Sequence, residues 1–236
     1  MTSVTGRVTG EPAVVLHVRP YRETSAIVSL LTLNHGRVAL VGRGVRGGKR
    51  GSVLQPFNRI SVAWSGRGGL GTLTAYEAAG FASLKGTAIA AGFYVLELLS
   101  RLVGEHESVP GIFAGTCWCL ERLEQGDRPV DVSLRCFEKL LLEELGYGLD
   151  FCRDAETGEA IDDEAHYLLS PERGFVRVAR ASDEAVPGSV LAEIADESLR
   201  SRASRMAAKR LFRVTLEPLL GPRPIASRRL LPGMRA

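Results

Sequence analysis

The 236-residue sequence predicts an α+β chain, with five short strands closing into a small barrel ahead of a helical region. Three observations carry this. The first eighty residues fall into short apolar, strand-like runs between glycine-rich corners. From Thr87 the apolar period lengthens from two residues to between three and four. Charge is sorted by position: residues 1–80 carry ten Lys/Arg against three acids, residues 81–194 ten against twenty-one, and residues 195–236 ten against three.

Val14-Val15-Leu16-His17-Val18, bounded by Pro20, reads as the first strand, and Ala26–Thr32 as the second. Asn34-His35-Gly36 is a hairpin turn leading into Arg37–Val41. Phe57–Trp64 alternates as the fourth strand, Ser65-Gly66-Arg67-Gly68-Gly69 turns the chain, and Gly71–Ala78 completes the set. Five such strands suit a small closed barrel, either an OB-fold or an SH3-like one, and strand number does not choose between them. Trp64, in mid-strand, reads as core.

Ile89, Phe93, Leu96, Leu99 and Val103 recur at helical spacing from Thr87 onward and are expected to form the buried face of a first helix. A second is expected over Ile112–Leu123, before Gly126. A third, Val132–Leu145, aligns Leu134, Phe137, Leu141 and Leu145 and stops at Gly146. Residues 150–190 lose the pattern and read as an acidic insertion with two short strands, Tyr167–Ser170 and Gly174–Val178. The last helix, Ser201–Leu219, ends at Gly221-Pro222, with Met206, Leu211, Val214 and Leu219 expected on its packed side. The expected organisation is a barrel over 1–80, helices over 81–149, the insertion over 150–186, and closing helices over 187–236.

Several chemistries are excluded by context. Gly42-Arg43-Gly44-Val45-Arg46-Gly47 and Gly66-Arg67-Gly68-Gly69-Leu70-Gly71 both spell a dinucleotide fingerprint, but neither opens a helix whose N–H groups could hold a pyrophosphate. The cysteines, at 117, 119, 136 and 152, lack the paired spacing of a zinc site, and those at 117 and 136 read as buried helix residues. The four histidines are scattered, and no serine occupies a nucleophile elbow. An enzyme is therefore not expected, nor a cofactor or metal. The start lacks a signal-peptide pattern and no apolar run approaches the roughly 20 residues that span a bilayer, so a cytoplasmic protein with no membrane partner is expected.

What remains is cationic. Arg43, Arg46, Lys49 and Arg50 lie in a glycine-rich loop without an acid, and Arg19, Arg37 and Arg67 share the same strand-rich segment. Lys and Arg on mobile loops follow a phosphate backbone by displacing condensed counterions, with little reading of bases. Arg205, Lys209, Arg210 and Arg213 make a second basic row on the last helix. DNA and RNA fit these charges equally well, so an RNA-binding barrel protein of translation or RNA decay is the alternative reading.

The assembled residues resemble the RecO family of recombination mediators. The likeness runs through Arg19-Pro20, Glu23-x-Ser25, Gly36-Arg37-Val38 and Gly42-x-Gly44-x-Arg46, then Leu54-Gln55-Pro56-Phe57, the segment FYVLELLSRL at 93–102, Leu145-Gly146-Tyr147-Gly148, and AAKRLFRVTLEPLLGPRPIASRRLL. The resemblance implies an N-terminal OB-fold, a helical core, and an inserted zinc-finger-like segment. Some members carry four zinc-binding cysteines in that segment, of which only Cys152 is present here. It further implies binding of single- and double-stranded DNA, annealing of complementary strands, and help in loading RecA onto DNA coated by single-strand DNA-binding protein, at the nucleoid in the cytoplasm. The implied protein partners are RecR and the acidic C-terminal tail of the single-strand DNA-binding protein, with RecA engaged indirectly. Arg135 falls where a basic residue of the family contacts that tail.

Overall fold

The computed structural model describes residues 6–46, 52–66, 69–170 and 173–231. The chain divides into two compact units, Met1–Val130 with Pro224–Ala236, and Asp131–Arg223. Charge follows the units: the first holds 17 Lys/Arg against 9 Asp/Glu, the second 13 against 18.

The first unit begins with β1 (Gly6–Tyr21), β2 (Ser25–Thr32), β3 (Gly36–Gly42), β4 (Arg59–Gly66) and β5 (Leu70–Gly80). They close a barrel in the order β1-β2-β3-β5-β4, with β3 parallel to β5 and every other pair antiparallel. That order is the OB-fold's, and it settles what strand number left open. Closure depends on the length of β1: residues 6–14 pair with β4 and residues 13–21 with β2. The strand expected over Val14–Val18 therefore extends eight residues further toward the N-terminus. Gly10, at φ +67°, sits in a bulge that shifts the β4 register between Val8 and Glu11. Val15, Val28, Leu30, Val38, Leu40, Ile60, Val62 and Trp64 fill the barrel, and Leu54 packs with them.

Leu54-Gln55-Pro56-Phe57 brings the chain back from the glycine-rich loop. The Phe57 N–H donates to the Val15 carbonyl at 3.0 Å and the Val15 N–H to the Asn58 carbonyl at 3.0 Å, so the turn is bonded into a bulge of β1. Buried Asn58 donates through Nδ2 to the Ser52 and Val53 carbonyls and accepts from the Ala82 N–H.

Two helices belong to this unit. α1 (Thr87–Leu102) follows the barrel, and α2 (Pro110–Gln125) starts on a proline and ends on Gly126 in the left-handed conformation. Of the stripe expected on α1, Leu96, Leu99 and Val103 are buried, together with Ala88, Ala91, Val95 and Leu98, whereas Ile89 and Phe93 in its first turns are exposed. The chain returns to this unit at its end. The Glu97 carboxylate accepts from the N–H groups of Ala226 and Ser227 and from the Ser227 hydroxyl at 2.6–2.8 Å, and Ile225, Ser227 and Leu231 are buried.

The second unit holds α3 (Val130–Glu144), a small sheet of β6 (His166–Ser170), β7 (Gly174–Val178) and β8 (Val186–Pro187) in the order β7-β6-β8, then α4 (Gly188–Ala195) and α5 (Arg202–Leu220). The two short strands expected in the insertion are present, and α4 is an element the sequence reading lacked. The insertion is organised by one side chain. Asp154, 4% exposed, accepts from the N–H groups of Glu156, Thr157 and Arg177 at 2.7, 3.1 and 2.9 Å, joining a turn to β7. Phe151 packs against Phe175 and Phe212, tying the segment to α5.

Candidate nucleic-acid interface

The β1–β2 turn, Arg22-Glu23-Thr24, and the residues that leave β3 meet at one end of the barrel. Gly42 pairs with Ala26, so Arg43 to Arg46 run past the turn. Gly44, at φ +65°, bends the chain there, and Val45 is buried in the barrel core. Arg46 then spends its donors on the turn: its backbone N–H bonds the Thr24 carbonyl at 3.2 Å, and Nη1 bonds the carbonyls of Arg22 and Glu23, each at 3.1 Å. Arg19, Arg22 and Arg43 are exposed. Arg22 is itself left-handed, at φ 55°, and its guanidinium carbon lies 5.3 Å from the centre of the half-buried Tyr21 ring. Arginine pays about 1 kcal/mol to adopt that conformation, so the turn is shaped by its bonds to Arg46 and not by local preference.

The other expected cations divide by their partners. Lys49, Arg50 and Arg67 lie outside the described residues. Arg37 is tied to the segment after α1, with Nε donating to the Val103 carbonyl at 3.1 Å and Nη2 lying 3.5 Å from the Glu105 carboxylate. On α5, Arg205 bonds the carbonyls of Leu199 and Arg200 and pairs with Asp131 at 3.2 Å. Arg210 bonds the carbonyls of Asp183 and Glu184, and Arg213 pairs with Glu217 at 2.6 Å. Lys209 is half-buried. The basic row of α5 is thus largely engaged within its own unit, whereas Arg19, Arg22 and Arg43 present their charge outward.

The packed side of α5 also differs from expectation. Ala208, Leu211, Phe212 and Leu216 are buried, while Met206 and Val214 are exposed. Val214 lines an open cleft of about 640 Å³ together with Tyr147, Leu169 and Leu219.

Arg135 is placed inside the unit. It is 3% exposed and pairs at 2.8 Å with Glu138, 1% exposed, one helical turn along α3. Leu134, Cys136 and Phe137 around it are buried as well. These apolar neighbours are packed core.

Trp64 is buried with its ring edge-on to His35 at 5.3 Å, and Phe57 is buried against Phe93. Tyr21 is half-buried beside the β1–β2 turn, at the cationic end of the barrel. Among the described residues no group of three or more His, Cys, Asp or Glu is placed to hold a metal ion, and no helix is long and apolar enough to cross a membrane.

Comparison with known proteins gives the same architecture a family. Residues 7–81 match the family described as Recombination protein O N terminal, and residues 84–229 match Recombination protein O C terminal. DNA repair protein RecO of Cellvibrio japonicus is 40% identical over 229 residues, covering 95% of this chain and 97% of the relative. The protein of the same name from Methylococcus capsulatus is 41% identical over 227 residues, with 95% and 93% covered. That of Coxiella burnetii strain RSA 493 is 40% identical over 233 residues, with 97% and 100% covered. The first matched region falls on the barrel and the second on the helices and small sheet that follow it, and the chain belongs to the recombination protein O family, the RecO proteins of DNA repair.

Proposed function

We propose that the chain is a recombination mediator without bond-making chemistry: it binds single- and double-stranded DNA, anneals complementary strands, and helps RecA replace single-strand DNA-binding protein. The observation that carries this reading is the outward cluster of Arg19, Arg22 and Arg43 at one end of an OB barrel, beside a glycine-rich segment that adds Lys49 and Arg50. The unit that contains them carries a net charge of +8. Annealing needs two polyanions held close with their repulsion screened and their bases left free. Cations on a barrel rim meet that need by contacting phosphates alone. The committed guanidinium groups of Arg37 and α5 add to the field around the protein more than to direct contact. Such a protein works in the cytoplasm, at the nucleoid.

Changing Arg43, Lys49 and Arg50 together to Ala is expected to weaken DNA binding and to lower the slope of log K against log salt by about one for each cation that meets a phosphate. An unchanged slope would remove the loop from the interface. The experiment for the function as a whole is annealing of complementary strands precoated with single-strand DNA-binding protein, with and without this chain. No acceleration would sink the mediator reading, and RNA outcompeting DNA of the same sequence would favour the RNA-binding alternative.

RecR and the acidic tail of single-strand DNA-binding protein are the proposed protein partners. For Arg135 to receive a tail carboxylate it must exchange its present partner, Glu138, for the incoming one, a swap between two charge-assisted bonds of similar kind. Arg135→Ala is expected to abolish tail-peptide binding measured by fluorescence anisotropy, provided the circular dichroism of the variant shows a folded protein. Arg135→Lys keeps the charge but loses the planar fork and should bind the peptide weakly. Unaltered peptide binding by both variants would remove Arg135 from the tail site.

A further inference from the structure

All three carbonyls of the β1–β2 turn accept from one residue. Arg46 supplies its backbone N–H to Thr24 and its guanidinium to Arg22 and Glu23, at 3.1–3.2 Å. The root of that residue is fixed, because Val45 beside it is buried in the barrel. The turn it holds carries an uncommon conformation at Arg22, φ 55°, which directs the guanidinium to within 5.3 Å of the Tyr21 ring centre. Glu23 is the single acid of the turn, with Arg19, Arg22 and Arg43 exposed around it.

We propose that this clamped turn seats one unpaired nucleotide, its base stacked on Tyr21 and its phosphate beside Arg22 and Arg43, with Arg46 as the positioning residue. The inference rests on the reading that the chain binds DNA, and it goes further by naming what distinguishes a single strand from a duplex. Phosphate contacts are open to both forms. A stacked base is open only to the single strand, because in a duplex both faces of each base are occupied. The nucleotide's two chemistries, an aromatic plane and an anion, are matched here by a ring and guanidinium groups on adjacent residues. Arg46 does not serve as a phosphate ligand in this arrangement, since its Nη1 and N–H face the turn's carbonyls. Its part is to hold Arg22 against its own backbone preference, so that ring and cation keep one geometry.

The test compares oligo(dT) with a duplex of equal length at one salt concentration. Tyr21→Ala is expected to weaken oligo(dT) binding about fivefold or more while leaving duplex binding within about twofold, and Tyr21→Phe should bind as the unaltered chain does. An oligonucleotide carrying 5-iodouracil is expected to crosslink to Tyr21 on irradiation, and the yield should fall in Arg46→Lys although charge is conserved. If Tyr21→Ala weakened both substrates equally or neither, or if the unaltered chain bound oligo(dT) without crosslinking at Tyr21, the inference would be overturned while DNA binding stood. If the unaltered chain bound neither substrate in dilute buffer, the DNA-binding reading would fall and this inference with it.

Discussion

Asp154→Ala is expected to lower the stability of the second unit by about 2–4 kcal/mol, because three backbone N–H groups lose one acceptor and a buried donor left unmade costs about 1–3 kcal/mol. Glu156, Thr157 and Arg177 are all exposed, so water recovers part of the loss at each and the effect should fall at the lower end of that range. For a unit of this size that is a drop in melting temperature of roughly 10 °C or more. The change has a pH signature. The Glu156 N–H, and then those of Thr157 and Arg177, outweigh the opposing effect of burial and hold the Asp154 carboxyl below the usual range for aspartate. A carboxylate held low stabilises the fold fully above its unfolded value, about 3.9, and loses that contribution as pH falls through the lower folded value. The unaltered chain should therefore lose stability on that acid limb, and Asp154→Ala should show a flatter one. Thermal unfolding followed by circular dichroism between neutral pH and about pH 2.5 measures both. A variant that melts with the unaltered chain at every pH would show that Asp154 does not organise the insertion. Chelation of metal should leave the melting temperature unchanged, because backbone hydrogen bonds to Asp154 perform the cross-linking that four cysteines and zinc are implied to perform in some relatives.

What could be read in the sequence was what is local and periodic. β2 is a short apolar run and β3 alternates cleanly on either side of Asn34-His35-Gly36, and both strands formed where their pattern placed them. Helix positions were legible, and Leu134, Phe137 and Leu141 on α3 are buried as aligned, but the buried faces of α1 and α5 were legible only in part. On α1 the large residues Ile89 and Phe93 suggest a core stripe, yet the small Ala88 and Ala91 are the ones that allow close packing. α4 is short, and its start is set by Gly188, where any side chain would overlap the Asp162 carbonyl, a tertiary constraint with no local signal. The identity of the cations was equally plain, but their commitments were hidden. Arg46, Arg205 and Arg210 bond backbone carbonyls, which every residue possesses and no sequence pattern marks. Arg135 is different: its partner stands three residues ahead on the same helix, a spacing that suits an ion pair, and an Arg-x-x-Glu step within an apolar run was a signal available in the sequence.

The other large effect is expected at the opposite end of β2. Gly36 has φ +60°, and a Cβ there would overlap the Glu107 carbonyl group. Gly36→Ala therefore costs about 1 kcal/mol in backbone conformation and also forces the 103–107 segment away from the barrel. That segment is held by the His106 N–H bonding the Arg37 carbonyl at 3.0 Å, by Arg37 Nε bonding the Val103 carbonyl, and by the Arg37–Glu105 pair. Losing them together should bring the total to about 3–5 kcal/mol, the range of substitutions that break a tertiary junction. Gly44→Ala is the control. Its φ is also positive, at +65°, but nothing lies within 4 Å of the added Cβ, so the conformational cost of about 1 kcal/mol should stand alone. Urea unfolding separates the two. The pair also tests whether stability and DNA contact are divided along the barrel, since the eight residues of β2 put roughly 20 Å between Gly36 and the cationic turn. Folded Gly36→Ala should retain its DNA affinity within about twofold and its full salt slope. An affinity that fell in step with stability would place the phosphate contacts at the Arg37 end as well.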